Sequence, residues 1–230
     1  MTKQPNAPRR SSWARPAALA LAGALLAACA AEEPAEAPPT EVRDAQLLLA
    51  GIPQAGDVLG EASAPLTLEE FADLRCSHCR EFLDLTLPIL LDRYVRPGKL
   101  RIVFHNLPIL GPASVQAARM AAALGMQGHE FEFVAAFFHR PPGLVSAESL
   151  RRIAAEIPGV DVAAAEAAAR SKAVEANLAE AMGEAQHHGV AGTPTFLLGR
   201  TGSDPELVTA ARANRPATLT GPIEALLAQP

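Results

Sequence analysis

The sequence predicts an α/β domain carrying an all-helical insertion, and three observations lead there. Residues 66–104 are patterned as strand, helix and strand; residues 112–188 hold successive helix signals and no convincing strand; strand character then returns at Thr195-Phe196-Leu197-Leu198. Two strands joined through a helix read as a βαβ unit, and so as a parallel pair in a sheet.

The N-terminus reads as a targeting segment. Lys3, Arg9, Arg10 and Arg15, with no acidic residue among them, precede an apolar run over residues 17–28. That run is too short to span a bilayer comfortably, and the pattern is that of a signal peptide. It ends in Leu26-Ala27-Ala28-Cys29, which resembles the bacterial lipobox, where the cysteine is lipidated and the peptide is cut just before it. An ordinary signal peptide with an incidental cysteine is the other reading. Residues 30–44 hold four glutamates and three prolines and little to bury, which suits a tether; at roughly 3 Å per residue it would reach about 40–50 Å. The predicted organisation is therefore a lipoprotein signal peptide over 1–28, a lipidated N-terminus and flexible linker over 29–54, and a folded domain over 55–230.

Within the domain, a turn-rich segment over residues 56–65 leads into a strand over 66–71 that stops at Asp73. Phe82, Leu83, Leu87, Leu90 and Leu91 recur at helical spacing, which predicts a helix over 77–94 with a kink at Pro88. Pro97-Gly98 is a turn, and residues 100–104 are the second strand. The insertion, about 112–188, is expected to hold three to five helices: 114–126, 130–138, 147–156 capped by Ser146, and an alanine-rich stretch capped by Asp161. Gly189 suits a C-cap, with His187-His188 before it as part of the helix end. Residues 207–209 are expected to pair with the late strand, and a last helix to run over 222–228.

Composition excludes several functions. Three cysteines among 230 residues are too few for a disulfide-stapled scaffold, and 48 alanines mean that the 49% hydrophobic content is largely small and helix-favouring. The net charge of −5 falls to −9 if residues 1–28, with four basic residues and no acidic one, are removed. With no basic stripe interleaved with aromatics, nucleic-acid binding is disfavoured.

Chemistry concentrates at Cys76-Ser77-His78-Cys79, where a strand gives way to a helix. Two cysteines three apart in a first helical turn can form a disulfide, and the first faces the unpaired N–H groups and positive end of the helix. Those groups, with His78 if protonated, favour a thiolate, the attacking species in disulfide exchange. A structural disulfide would close a short loop and be a weak staple. Zinc would need further ligands, and His105, His129, His139, His187 and His188 form no second knuckle. Glu70, six residues before Cys76, is either an exposed strand residue or a buried carboxylate near the helix start. In Gly192-Thr193-Pro194-Thr195-Phe196, the proline suits a strand start or a cis bond.

Taken together, the Cys-x-x-Cys embedded in residues 71–82, the helical block and the stretch 189–196 resemble the DsbA-like thiol:disulfide oxidoreductases of the thioredoxin superfamily. The resemblance covers roughly residues 56–228 and implies a thioredoxin-like fold with an all-helical insertion domain. It implies Cys76 as the exposed nucleophile and Cys79 as the buried resolving thiol; no cofactor beyond their redox-active disulfide is expected, and, from the histidine spacing, no bound metal. It further implies Pro194 as a cis proline beside that disulfide, Thr193 as a backbone partner for substrate, and Glu70 as a proton acceptor. His78 agrees with the strongest oxidases of the family, whereas Ser77 stands where they carry proline. Thr193 resembles some isomerases and reductases. The expected activity is oxidation of client protein thiols in the bacterial cell envelope, facing the periplasm, with a membrane-embedded partner resetting the pair. A reductase or isomerase, or a non-catalytic copper-binding or scaffolding lipoprotein, is the alternative. Ala30 after Cys29 lacks the aspartate that retains some lipoproteins in the inner membrane, which favours the outer one slightly.

Overall fold

The computed structural model describes residues 39–143, 145–209 and 215–229. The signal peptide and Cys29 lie outside the described residues.

One mixed sheet of six strands orders the molecule, with β3 (Leu66–Ala72) and β4 (Leu100–Asn106) at its centre in parallel. Their register sets Leu66 opposite Leu100 and Glu70 opposite Phe104. The other side of β3 takes β5 (Thr195–Arg200) antiparallel, with Glu70 opposite Phe196, and β6 (Glu206–Thr209) follows at that edge. β3 is buried on both faces apart from Glu69, which suits a central strand covered by helices on each side. The opposite edge is a hairpin of β1 (Gln54–Ala55) and β2 (Val58–Leu59) turning at Gly56, whose φ of +60° is one that glycine adopts without steric cost. Strands of two residues have no periodicity to read, so this hairpin was hidden in the turn-rich segment.

The crossover between β3 and β4 is not one kinked helix. It comprises α2 (Ser77–Leu85), α3 (Leu87–Leu90) and a π-helical turn over Leu91–Val95. Pro88 accounts for the break: inside a continuous helix it would leave a carbonyl unpaired, whereas in the first turn of α3 its missing N–H costs nothing.

Among the described residues the insertion holds five helices: α4 (Pro112–Gly125), α5 (Glu130–His139), α6 (Ala147–Glu156), α7 (Val162–Ala168) and α8 (Lys172–His187). Ser146 and Ser149 form a reciprocal capping box on α6, and Asp161 accepts from the Ala164 N–H at the start of α7. The alanine-rich stretch divides because Ser171 starts a new helix, its hydroxyl accepting from the Val174 N–H. The last helix, α9 (Ala217–Leu227), begins earlier than its Gly221-Pro222 pair suggests, and buries Leu219 and Ile223.

The linker expected over 29–54 is corrected at its end. Thr40–Leu49 is a helix, α1, that packs on α5 with Val42, Ala45 and Leu49 buried. Those three positions make a sparse apolar stripe, which the neighbouring glutamates and prolines obscure. Arg96 holds the helix end by donating to the Leu48 carbonyl at 2.7 Å and to that of Ala50.

The main core lies on the sheet face carrying Leu66, Leu68, Ile102, Phe104 and Phe196, against α2 and α5. The Phe82 and Phe196 rings meet there at 4.6 Å, a contact worth about 0.5–1.5 kcal/mol beyond its buried area. A smaller cluster of Phe71, Leu107, Leu197 and Ala185 lies on the other face, under α8. The redox motif therefore sits at the carboxyl end of β3, between a packed core and the start of α2.

Candidate active site

The strand-to-helix turn is built around Asp73, a buried residue that the sequence marked only as the end of a strand. One carboxylate oxygen accepts from the Arg75 N–H at 2.8 Å and the other from the Leu110 N–H at 2.9 Å, while its carbonyl accepts from the Cys76 N–H at 2.9 Å. This bracing joins the cysteine turn to the segment before α4. Asp73→Ala leaves two N–H donors to find new partners, so a loss of about 1–3 kcal/mol in urea-induced unfolding is expected.

Cys76 is the N-cap of α2, and Cys79 lies one turn further on. The first keeps 8% of its surface exposed and the second none. Both are free thiols, and that of Cys76 donates to the Thr193 carbonyl at 3.3 Å. The two sulfurs are driven apart in acidity. Cys76 is lowered from 9.0 to about 5, foremost by a hydrogen bond from the Cys79 thiol. Partial burial opposes this, while a side-chain hydrogen bond from Thr193 and the N–H groups of Cys79 and His78 favour the thiolate. Cys79 is pushed far upward, first by burial, then by its bond to Cys76 and by the charges of Glu70 and Cys76.

Glu70 is 6% exposed and points into the core from β3, sharing with Cys79 a small cavity otherwise lined by apolar side chains such as Phe82, Ile102 and Phe138. That cavity is about 20 Å³, roughly the size of one water. Burial, and secondarily the Cys76 thiolate, raises the Glu70 carboxyl from 4.5 to about 8, so it holds a proton at neutral pH. The exposed-strand reading of Glu70 does not hold, because β3 is flanked on both sides by other strands and covered by α2.

The Thr193–Pro194 peptide is cis and leads directly into β5. Its approach is held by the end of α8, where Val190 donates to the Ala185 carbonyl and Gly189 to that of Gln186, with Gly189 at φ +66°. This is the paired bonding of a Schellman cap. Thr195 closes the turn by donating its hydroxyl to the Gly192 carbonyl at 2.7 Å. The structure thus brings Cys76, Cys79, Glu70, Thr193 and Pro194 together. His78 contributes differently from expectation: its side chain is 71% exposed and bonds Glu81 at 3.2 Å, which raises its pKa. Its backbone N–H bonds the Cys76 thiolate, while its ring, turned mainly to Glu81, adds a smaller charge interaction with that sulfur.

A cleft of about 440 Å³ opens beside Cys76, lined by Leu74, Arg80, Phe137, Val145 and Ile153 among others. Arg80 donates to the Arg140 carbonyl at 2.6 Å and lies 5.9 Å from the centre of the Phe138 ring. No local pattern marks this cleft, because its walls come from α1, α2, α5, α6 and the α5–α6 loop.

The cis proline thus stands beside the Cys-x-x-Cys helix start, at one end of the adjacent strands β3 and β5. Residues 54–210 match the thioredoxin family. The chain belongs to that family. A thioredoxin-like oxidoreductase from Silicibacter pomeroyi DSS-3 is similar at 26% identity and a TM-score of 0.62, over 82% of this chain and 99% of that one. Oxidised BdbD from Bacillus subtilis is 18% identical with a TM-score of 0.67, over 77% and 98% of the two chains, a likeness of fold alone. A probable disulfide bond formation protein D from Bacillus anthracis is 33% identical over 72 residues, 31% of this chain and 33% of that protein. The chain thus spans about a third of the length of this curated relative. As a thioredoxin-family chain it combines the family's mixed sheet with a five-helix insertion.

Proposed function

We propose that the chain is a thiol:disulfide oxidoreductase that oxidises client protein thiols through Cys76 and Cys79. The observation that carries this reading is Cys76 at the start of α2, in contact with the Thr193 carbonyl before cis Pro194, with Cys79 and Glu70 buried together behind it; the surroundings hold the first thiol acidic and push the second upward. A client thiolate attacks the Cys76 sulfur of the disulfide; a client–Cys76 bond forms, the Cys76–Cys79 bond breaks, and Cys79 leaves as a thiolate. Because burial disfavours that charge, Glu70 supplies its proton. A second client thiolate then displaces Cys76, which leaves as the stabilised thiolate. The client gains a disulfide, and its two electrons now reside on the reduced pair.

A thiolate favoured at neutral pH stabilises the dithiol form and makes the disulfide the stronger oxidant. This supports oxidation over reduction. The cleft beside Cys76 lies within the usual volume of ligand pockets, about 300–1,000 Å³, and would receive the client chain, with Thr193 and Pro194 pairing with it in extended form. The names of the relatives, a disulfide bond formation protein and a thioredoxin-like oxidoreductase, point the same way.

An envelope location rests on the sequence of residues 1–29, with lipid on Cys29 as the anchor, the outer membrane the favoured site and a membrane-embedded partner to reoxidise the pair. Among the described residues, no helix is long and apolar enough to cross a membrane.

Equilibrating the pair against glutathione tests the direction of electron flow, and following thiolate absorbance against pH tests its cause. The expected results are a potential well above the ≈ −270 mV of thioredoxin and a Cys76 titration near pH 5. A potential at or below that value sinks the oxidase reading, and a titration near the ordinary ~8.5 of a free thiol sinks its physical basis.

A further inference from the structure

The end of α8 and the β5–β6 connection bring a second set of donor side chains together, apart from the redox pair. Ligand atoms of His187, His188 and Asp204 all lie within 4.8 Å of one another. His188 Nε2 stands 3.9 Å from Asp204 Oδ1 and 3.8 Å from Glu184 Oε2. Both gaps exceed hydrogen-bond length and are slightly wider than the ~3.3–3.5 Å between two ligand atoms on a tetrahedral ion with ~2.0–2.1 Å bonds. His187 closes the last turn of α8 and His188 is its C-cap residue, which is the helix end expected from the sequence, while among the described residues neither imidazole bonds a main-chain carbonyl.

The backbone holds both halves of the cluster in place. His187 and His188 are fixed by the Schellman cap at Gly189. Asp204 follows a turn closed by the Ser203 N–H on the Arg200 carbonyl at 2.9 Å, with Gly202 at φ +84°. Its neighbour Pro205 packs so closely on β5 that a Cβ at Gly199 would stand 3.0 Å from the Pro205 Cα. The His188 side chain is largely buried, at 13% exposure, while Glu184 and Asp204 are open to solvent. Small side-chain rotations therefore suffice to converge the donors.

We propose that His187, His188 and Asp204, with Glu184 as a fourth donor, bind a borderline divalent cation of the zinc type. Two imidazoles with carboxylates match that class, whereas calcium and magnesium prefer all-oxygen sets. The ion would bond α8 to the β5–β6 connection. It would thereby tie the helix end that precedes residues 190–194 to the far end of β5, the strand that follows them.

The test uses the full chain carrying Cys29→Ser, Cys76→Ser and Cys79→Ser, so that no thiol competes for the metal, in equilibrium dialysis against zinc alone. One zinc per chain is expected, with affinity falling at least tenfold in His188→Ala and in Asp204→Asn, and far-UV circular dichroism unchanged. His187→Gln changes an exposed ring, so it gives the same readout should His188→Ala fail to fold. Absence of zinc at 100-fold excess overturns the site. Retention of zinc with unchanged affinity in His187→Gln and Asp204→Asn does so too, and tighter calcium than zinc binding overturns the assigned metal class.

Discussion

Cys79→Ser is expected to turn the chain into a covalent trap. In this variant the serine hydroxyl replaces the Cys79 thiol as hydrogen-bond donor to Cys76, and with the N–H groups at the start of α2 it keeps Cys76 acidic; its thiolate attacks a client disulfide, forming a mixed disulfide and expelling one client sulfur. In the native chain Cys79, one helical turn away, then attacks Cys76 and releases the reduced client. That step is intramolecular, and well-oriented intramolecular attack corresponds to effective concentrations of about 10⁵ M or more. Removing it leaves only external thiols, so release should slow by at least ~10³-fold and the adduct should persist on non-reducing gels. Cys76→Ser should show the reverse: no adduct and no turnover of a dithiol peptide. The asymmetry follows from exposure, since Cys76 keeps part of its surface open beside the cleft while Cys79 is fully buried. Adducts that survive Cys76→Ser, or that form through Cys79, would refute the assigned order of attack.

Local chemistry made much of this site legible in the sequence. A strand ending at Asp73, cysteines spaced one helical turn apart and a proline opening a late strand are encoded within a few residues each, and each lies where the pattern placed it. The parts that could not be read are relations between distant segments. The acidity of Glu70 depends on side chains from β4, α2 and α5 that close over it, and a lone glutamate in a strand carries no sign of them. Asp73 looked like punctuation because its partner at Leu110 lies 37 residues on. His78 was read by its charge, but an N-cap geometry that turns the backbone N–H toward the sulfur leaves the ring free to face Glu81. The end of the linker was misplaced for a related reason: α1 is held by burial against α5 and by Arg96 rather than by strong propensity of its own.

Glu70→Gln is expected to raise stability at alkaline pH while slowing exchange. The Glu70 carboxyl titrates at about 8 in the folded chain against 4.5 ordinarily, burial being the main cause. Between those values the unfolded chain has released a proton that the folded chain keeps. Stability contributed by this group is therefore full below about pH 4.5 and is lost as pH climbs to 8, a fall of roughly 3–5 kcal/mol. Glu130, buried and also raised to about 8, acts in the same direction. Cys76 acts in the opposite one: lowered from 9.0 to about 5, it contributes stability that is full above pH 9 and lost as pH falls toward 5. In the dithiol form the Cys76 slope offsets one of the two carboxyl slopes over pH 5–8, so the decline is roughly halved. In the disulfide form Cys76 carries no charge, so its opposing slope disappears along with its smaller part in raising Glu70, and the decline set by burial of the two carboxyls should appear in urea midpoints measured at pH 5, 6.5 and 8. Glu70→Gln should remove roughly half of it, leaving the part due to Glu130. The same substitution should slow the breaking of the Cys76–Cys79 bond at pH 7 by ~10²-fold or more, the usual worth of a positioned proton donor. A residue serving only packing would lose stability without affecting exchange at fixed pH. A variant equally sensitive to pH and undiminished in exchange would deny Glu70 its part, whereas stability and exchange moving in opposite directions would show that its burial serves proton transfer to Cys79.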